Sequence, residues 1–161
     1  MKKIELSGAK GKGKYITIDD EDYELVASKR WNLLASKGGA HYARHNSRKG
    51  SVLLHRFIID CPKGMIIDHI NFDTLDNRKS NLRVCTISQS LCHRRKDKFP
   101  RTSKYKGVCR SGFNGYTYWH MSINFNGKNI VKRFKREIDA AKEYNKLAKI
   151  HHKEFAVLND I

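Results

Sequence analysis

An Asn-Gly pair at residues 126–127 separates two segments in which polar and apolar residues alternate, and it constrains the fold more than any other feature. Such a pair between alternating segments predicts a two-residue hairpin turn. Tyr116–Phe125 and Lys128–Phe134 are therefore predicted to pair as strands, with Tyr105–Arg110 as a third. One face of the central strand carries Trp119, Met121, Ile123 and Phe125. A helix predicted over Glu137–Ala148 has apolar residues at 3.6-residue spacing and can cover this face.

The opposite face of this sheet is expected to be polar, basic and uncovered. In the central strand, His120, Ser122 and Asn124 alternate with the apolar residues. A small sheet with one bare basic face can enter the major groove of DNA. A solvated basic face without a partner is the alternative interpretation of the same residues.

The first hundred residues are predicted to mix short strands and helices. Tyr15–Ile18 alternates as a strand does, and the acidic residues after it suit the start of a helix at Tyr23–Val26. Trp31–Leu34 and His41–Arg44 flank a Ser-Lys-Gly-Gly turn, as in a hairpin. Ser51–Ile59 is expected to run from the end of a strand into a helix. After residue 64 the pattern predicts a strand, a polar loop over 72–79, a strand over 80–86 and a helix over 87–95.

The charge of the chain indicates a polyanionic partner. The 33 Lys and Arg against 16 Asp and Glu give a formal net charge of +17. Residues 1–100 hold 20 basic and 11 acidic side chains, and residues 101–161 hold 13 and 5, so both halves are basic. The positive electrostatic field of such a chain favours binding to nucleic acid or to an anionic membrane surface. RNA is disfavoured because the sheet lacks paired surface aromatics for stacking bases.

Membrane, secreted and zinc-finger classes are not expected. No apolar run approaches the roughly 18 residues that span a bilayer, and no helix combines a large apolar face with a basic one. The N-terminal segment has no apolar core of a secretory signal. The four cysteines are scattered, so we expect reduced thiols in a cytoplasmic protein. A zinc site of Cys85, Cys92 and His93 fits no standard finger spacing, and no structural zinc is expected.

Asp68-His69, at the end of an apolar strand, is the pair that could carry chemistry. A carboxylate can hold a hard cation such as Mg²⁺, and an imidazole with a pKa near 6.5 can take the proton from an attacking water. This combination suits metal-assisted hydrolysis of a phosphodiester bond. An acid at a strand end beside a surface histidine is the structural alternative.

The residues around this pair closely resemble the HNH endonuclease motif. They read D-H-I-N over 68–71, then D-N-R over 76–78, then N-L-R-V-C-T over 81–86. Leu54-His55-Arg56 and Asp20–Tyr23 resemble phage- and intron-encoded HNH homing endonucleases, and the resemblance covers about residues 14–95. By this resemblance His69 is the general base, Asp68 a metal ligand, and Asn81 the asparagine that braces the loop carrying the histidine.

The last motif position departs from the family pattern. The homing nucleases usually carry a metal-binding asparagine where this chain has Ser90. A serine hydroxyl is a poor Mg²⁺ ligand compared with an amide or carboxylate oxygen. The sequence leaves open a weakened site, an engineered inactive variant, a water-mediated ligand, replacement by His93, or a serine of no functional role on the helix surface.

Residues 103–159 resemble a second family, the APETALA2-type DNA-binding domain. The matching phrases are S-K-Y-K-G-V over 103–108, Trp119, N-G-K over 126–128, D-A-A with Y-N over 139–145, and E-F-A-V-L-N over 154–159. The resemblance places DNA-facing side chains at Lys106, Arg110, His120, Ser122, Asn124, Lys128, Ile130 and Lys132. Cys109 stands where that family has a second arginine, so known target sequences do not transfer.

The predicted architecture is therefore α+β. An N-terminal ββα-metal HNH nuclease domain spans 1–93, a basic linker spans 94–102, and a three-stranded antiparallel sheet packed on one α-helix spans 103–161. The predicted function is a site-recognising, homing-type DNA endonuclease that uses Mg²⁺ or Mn²⁺, with double-stranded DNA as partner and a monomer or homodimer as the acting form. The alternative is a catalytically weak or inactive DNA-binding protein on the HNH scaffold. Further DNA contacts are expected from His55, Arg56, Arg78, Arg94, Arg95 and Lys104.

Overall fold

A computed structural model describes residues 1–36, 38–96, 102–113 and 116–161. The chain forms two compact units, residues 1–85 and 86–161, and each is described by itself. Part of the predicted basic linker, residues 97–101, lies outside the described residues. No helix in the described part of the chain is long and apolar enough to cross a lipid bilayer.

The first unit begins with two antiparallel strands and a short helix. β1 (Lys2–Glu5) pairs with β2 (Tyr15–Ile18), and Ile16 and Ile18 of β2 are fully buried, as the alternation of this strand predicts. A single turn of 3-10 helix over Asp20–Asp22 leads into α1 (Tyr23–Ala27). The helical segment therefore begins at the acidic residues, where the sequence predicts a helix start.

A three-stranded antiparallel sheet forms the middle of the first unit. Its order is β3 (Asn32–Ala35), β4 (His41–Ser47) and β5 (Gly50–Leu53), and α2 (Leu54–Ile58) follows β5 directly. The hairpin predicted between β3 and β4 and the transition from strand to helix are confirmed. The buried core of the unit consists of Leu6, Ile16, Ile18, Val26, Trp31, Ala43 and Leu54.

The last two strands of the first unit form an antiparallel pair. β6 (Ile66–His69) pairs with β7 (Leu82–Cys85), so that Asp68 lies opposite Arg83 and His69 opposite Leu82. The long polar loop between the strands ends in a turn of 3-10 helix over Lys79–Asn81. This loop carries most of the polar residues of the motif.

The second unit begins with α3 (Ile87–Cys92). The Thr86 hydroxyl accepts a hydrogen bond from the Gln89 backbone, and the Gln89 side chain accepts one from the Thr86 backbone, so α3 starts with a capping box. The helix ends at Cys92, three residues before the predicted end, and His93 is its C-cap.

A sheet and one long helix make up the rest of the second unit. β8 (Val108–Phe113), β9 (Tyr116–Phe125) and β10 (Lys128–Phe134) are antiparallel with β9 in the centre, and α4 (Glu137–His151) packs on one face. Asn126 and Gly127 both have positive φ, 47° and 73°, as the predicted hairpin turn requires. The buried core is Tyr105, Val108, Met121, Ile123, Ala140, Ala141, Tyr144 and Ala148. The predicted α+β class is confirmed.

Candidate functional site

Asp68 and His69 are the last two residues of β6, where the strand gives way to the polar loop. The Asp68 carboxylate accepts hydrogen bonds from Nε and Nη2 of Arg83, its cross-strand neighbour, at 3.0 and 2.8 Å. Both side chains are largely buried, with exposed fractions of 13% and 15%. The carboxylate is therefore held in one orientation beside the histidine.

Asn81 fixes the loop that follows His69. Its side-chain oxygen accepts a hydrogen bond from the backbone N–H of Asn71 at 2.9 Å, and its side-chain amide donates to the carbonyl oxygen of Asp76 at 2.7 Å. The residue is buried, so these bonds are shielded from water. One side chain thus ties the start of the loop, at Asn71, to its middle, at Asp76.

Two other strands of the first unit also anchor this loop. The backbone N–H of Thr17 in β2 donates to the Leu75 carbonyl at 2.9 Å, and the N–H of Asn77 donates to the Thr17 carbonyl at 2.7 Å. The Thr74 hydroxyl donates to the carbonyl oxygen of His41 in β4. The loop is therefore bound to β2 and β4 as well as to Asn81.

The His69 imidazole is buried and one of its nitrogens is unpartnered. The residue is 5% exposed, and no described residue offers a hydrogen-bond partner to its Nε2. Burial lowers the pKa of His69, against the opposing effects of a hydrogen bond with Asn77 and the charges of Asp68, Asp73 and Asp76. A lowered pKa keeps the ring neutral at physiological pH, which a general base needs.

Two further aromatic rings pack against His69. The ring centroid of His55 lies 5.3 Å from that of His69 with an interplanar angle of 88°. Tyr42 lies 5.7 Å from His55 and 6.3 Å from His69. His55 was expected to contact DNA, but it is only 6% exposed and the structure brings it against the candidate base. The Leu-His-Arg phrase was the only sequence signal for His55, and no sequence signal singled out Tyr42.

The two arginines predicted as DNA contacts in this unit differ in their partners. Arg56 is exposed, and its Nη2 lies 3.5 Å from the Met65 carbonyl oxygen. The guanidinium of Arg78 makes two hydrogen bonds to Asp76, at 2.8 and 2.6 Å. Arg78 therefore presents a partly neutralised group, whereas the Arg56 side chain lies in solvent.

Ser90 and His93, the two candidates for the last metal ligand, belong to the second unit. Ser90 lies in α3 and is partly exposed, while His93 is 6% exposed. Arg94 and Arg95, which follow, are exposed. Within the described residues, no three or more His, Cys, Asp or Glu side chains are arranged to hold a metal ion.

Lys106, predicted to contact DNA, is bound inside the second unit. Its Nζ donates a hydrogen bond to the carbonyl oxygen of Cys92 at 2.6 Å. Burial lowers the pKa of Lys106 to about 8. Lys104, by contrast, is exposed, with its Nζ 5.0 Å from the centre of the Tyr105 ring.

The strand register corrects the predicted open face of the sheet. Residues directly opposite each other in an antiparallel pair point to the same face. Arg110 pairs with Trp119, Lys128 with Phe125 and Lys132 with Met121, so all three side chains lie on the α4 face. The Nζ of Lys132 accordingly contacts Glu143 of α4 at 2.5 Å. Placing these three residues on the open face was wrong, as was placing Ile130 there, because Ile130 pairs with Ile123 and packs against the core.

The open face carries other residues, most of them polar, beside the predicted His120, Ser122 and Asn124. The register adds Cys109, Ser111, Tyr118, Asn129, Val131 and Arg133. The Arg133 guanidinium lies 5.1 Å from the centre of the Tyr118 ring, and Ser111 hydrogen-bonds His120 at 2.9 Å. Correct counting across the Asn126-Gly127 turn would have found Arg133.

Comparison with known proteins identifies the class of this chain. Residues 60–91, which include β6 and β7, match the family model described as HNH endonuclease. An uncharacterized HNH endonuclease of Acanthamoeba polyphaga mimivirus is 30% identical, and the alignment covers 94% of this chain and 78% of that protein. The chain belongs to the HNH endonuclease family, which indicates a DNA nuclease. No solved structure is significantly similar to it.

Nucleases of this family commonly use divalent metals, and the residues at the end of β6 fit such an ion. The Asp68 carboxylate supplies the hard oxygen donor that Mg²⁺ prefers. Mg²⁺ is usually held by one or two carboxylates together with water and substrate phosphate, so a larger acidic cluster is not required.

Proposed function

We propose that the chain is a DNA endonuclease that hydrolyses phosphodiester bonds with Mg²⁺ or Mn²⁺ at recognised sites, as homing-type HNH enzymes do. The observation that carries the proposal is the neutral, buried His69 ring, whose Nε2 has no partner among the described residues, directly after Asp68 in β6. Nε2 is therefore the nitrogen available to accept the proton of an attacking water.

Each residue of the site has a distinct part in this proposal. Asp68 would hold the metal ion, which supplies charge stabilisation at the scissile phosphate. His69 takes the proton of the water at Nε2, and the rings of His55 and Tyr42 pack against its imidazole. Asn81 keeps the loop that carries these groups in place. Ser90 and His93 stay sequence-based candidates for a further metal ligand.

A second function is supported by one observation. Ser90 replaces the metal-binding asparagine that the homing nucleases usually carry, and a serine hydroxyl is a weak Mg²⁺ ligand. The chain would then be a DNA-binding protein that retains the HNH scaffold with little or no cleavage activity. Binding without cleavage is the distinguishing property of this alternative.

A nicking assay tests the two functions. Supercoiled plasmid is incubated with the protein and Mg²⁺, with and without EDTA, and DNA affinity is measured in parallel. We expect metal-dependent cleavage, and His69→Ala should lower its rate by about 10²-fold or more with little change in affinity, because a general base is lost. His45→Ala is the matched control, since His45 packs on Trp31 in the same unit. Tight binding with no cleavage by the parent protein would favour the alternative.

We further propose that the open face of the second unit's sheet reads the DNA site, as the APETALA2-type resemblance implies. Arg133 is the arginine that register places on this face, and arginine commonly forms paired hydrogen bonds with guanine. Its neighbour Lys132 lies on the opposite face and is paired with Glu143.

One HNH motif per chain implies one strand cut per monomer, so a homodimer or two successive events would be needed to cut both strands.

Neighbouring variants test this recognition role. Arg133→Ala should relax sequence preference at a position of the site and cost about 1–3 kcal/mol of binding to the preferred sequence. Lys132→Ala should leave sequence preference unchanged because its side chain lies on the α4 face. Selection of bound sequences from a random DNA pool measures both. Identical preferences for Arg133→Ala and the parent protein would contradict the proposal.

A further inference from the structure

Three rings from three separate elements meet in the first unit. Tyr42 comes from β4, His55 from α2 and His69 from β6. His55 stands almost perpendicular to His69, at 88°, with the ring centroids 5.3 Å apart. Tyr42 lies against both histidines at centroid distances of 5.7 and 6.3 Å. Edge-to-face contacts at such distances are favourable and directional.

The position of His55 excludes the role that its sequence suggested. The residue is 94% buried beside the fully buried Leu54, so its ring is not offered to a DNA phosphate. Burial is the main cause that lowers the pKa of His55 to about 4, with smaller contributions from His69 and Arg56, so the ring is neutral at physiological pH. A buried neutral imidazole that takes no proton in the proposed reaction needs another explanation.

We propose that His55, supported by Tyr42, is a positioning residue that fixes the orientation of the His69 ring in the hydrolytic site. This inference rests on the proposed function, because it concerns the same base. The Cβ–Cγ torsion of histidine has a broad preference, so the rotamer does not by itself fix the plane of the ring. The perpendicular ring of His55 supplies the restraint.

Fixing the plane of His69 matters because proton transfer depends on geometry. Misplacement of a catalytic group by about 1 Å can cost roughly 10²-fold in rate. A ring that rotates away from the attacking water would keep its basicity and lose its alignment. Loss of His55 is therefore expected to affect the cleavage step and to leave DNA binding and metal binding almost unchanged.

Three variants of the full chain separate positioning from other roles. His55→Ala removes the ring, His55→Leu fills most of its volume without a planar face, and His55→Phe keeps a planar ring without nitrogens. Single-turnover cleavage gives kcat, and titration with DNA and Mg²⁺ gives the two affinities. We expect His55→Ala and His55→Leu to lower kcat by about 10- to 10²-fold. His55→Phe should recover to within about threefold of the parent, because it restores the ring contact.

A spectroscopic measurement tests the same inference without relying on activity. Ring resonances of His69 are recorded by NMR in the metal-free protein, with His69→Ala used for their assignment. We expect cross-relaxation between the His55 and His69 rings in the parent, and altered or broadened His69 signals in His55→Leu. His55→Phe should retain the parental pattern. Tyr42→Phe, which keeps the ring and removes only the hydroxyl, should also retain it.

The outcomes distinguish this inference from the proposed function. Parental kcat and unchanged His69 signals in both His55→Ala and His55→Leu would overturn the positioning role while leaving the nuclease assignment intact. A His55→Phe protein as slow as His55→Ala would also overturn it, because the nitrogens rather than the ring would then be required. If the parent protein does not cleave DNA, the proposed function fails and the His69 signals decide the positioning role alone. If His55→Ala does not fold, His55→Leu and His55→Phe supply the comparison.

Discussion

The Nζ atom of Lys106 lies 2.6 Å from the carbonyl oxygen of Cys92, and this hydrogen bond joins the turn before β8 to the end of α3. The ammonium group satisfies a carbonyl at a helix terminus that has no partner within the helix. It does so in a partly buried position, which lowers its pKa to about 8. The charged form of Lys106 is therefore less favourable in the folded protein than in the unfolded chain.

Lys106 should make the stability of the protein depend on pH in the alkaline range. Between its folded pKa of about 8 and its ordinary value of 10.5, the unfolded chain holds a proton that the folded chain has released. The free energy of unfolding contributed by this group therefore rises as pH increases through that window. In Lys106→Met this rise should be absent. Urea unfolding at pH 8, 9 and 10 gives the free energy of unfolding of both proteins. The same dependence on pH in the parent protein and in Lys106→Met would contradict the prediction.

Asn81→Ala should destabilise the first unit and slow cleavage. The change leaves the Asn71 N–H and the Asp76 carbonyl without the partner they share. We expect the free energy of unfolding to fall by about 1–3 kcal/mol, the usual cost of unsatisfied buried groups. Denaturant unfolding measures it, with Asn46→Ala, an exposed asparagine of β4, as control. Equal losses in the two variants would show that the loop does not depend on Asn81.

Arg83→Gln should lower the Mg²⁺ concentration needed for half-maximal activity. The Arg83 guanidinium neutralises the Asp68 carboxylate across the strand pair, and its removal leaves more negative charge for a cation. A shift of at least a few-fold is expected, because a unit charge about 4 Å away is worth about 1 kcal/mol even at the dielectric constant of water. Lys79→Gln is the control, because Lys79 pairs with Glu21 and Asp22 instead. A higher Mg²⁺ requirement would mean that Arg83 chiefly orients the carboxylate.

Ser90→Asn should raise the cleavage rate or the Mg²⁺ affinity if the serine weakens the metal site. The substitution introduces an amide oxygen, a better ligand for a hard cation than a neutral hydroxyl. A metal titration of cleavage measures the change. An unchanged curve would indicate that another group already completes the site, and His93→Ala in the same background would then identify or exclude that histidine.

DNA binding should depend strongly on salt. The net charge of +17 is shared by both halves of the chain, which implies several phosphate contacts. For about six contacts, the slope of log K against log salt would be near −5. Binding measured between about 50 and 200 mM salt gives the slope. A value shallower than about −2 would be incompatible with contacts from both halves.

The sequence predicted elements that depend on local pattern. The hairpin at Asn126-Gly127 and the alternation of β9 are local, and the structure confirms both. The facing predicted for Lys128 and Lys132 of β10 was wrong because the odd or even residue numbers that share a face change between β9 and β10. Phe125 pairs with Lys128, so even-numbered residues face outward in β9 and toward α4 in β10. A register must be counted through the turn, and alternation within each strand is not enough.

The candidate site was only partly predictable for a similar reason. Asp68, His69 and Asn81 lie in one motif, and the structure places all three at one strand end and its loop. Tyr42 and Thr17 reach the same place from β4 and β2, through pairings that no local pattern encodes. His55 was found for the wrong reason, because a histidine beside an arginine suggests a basic surface until its burial is known.

The bond between Thr17 and Asn77 limits how the catalytic segment could be moved between proteins. The segment that matches the family, residues 60–91, contains His69 and Asn81. It lacks the β2 backbone that holds Leu75 and Asn77, and it lacks the rings of Tyr42 and His55. A chimera that transplanted only the matched residues would carry the reactive groups without their supports. Exchange by recombination would therefore have to take the first 59 residues along with the motif.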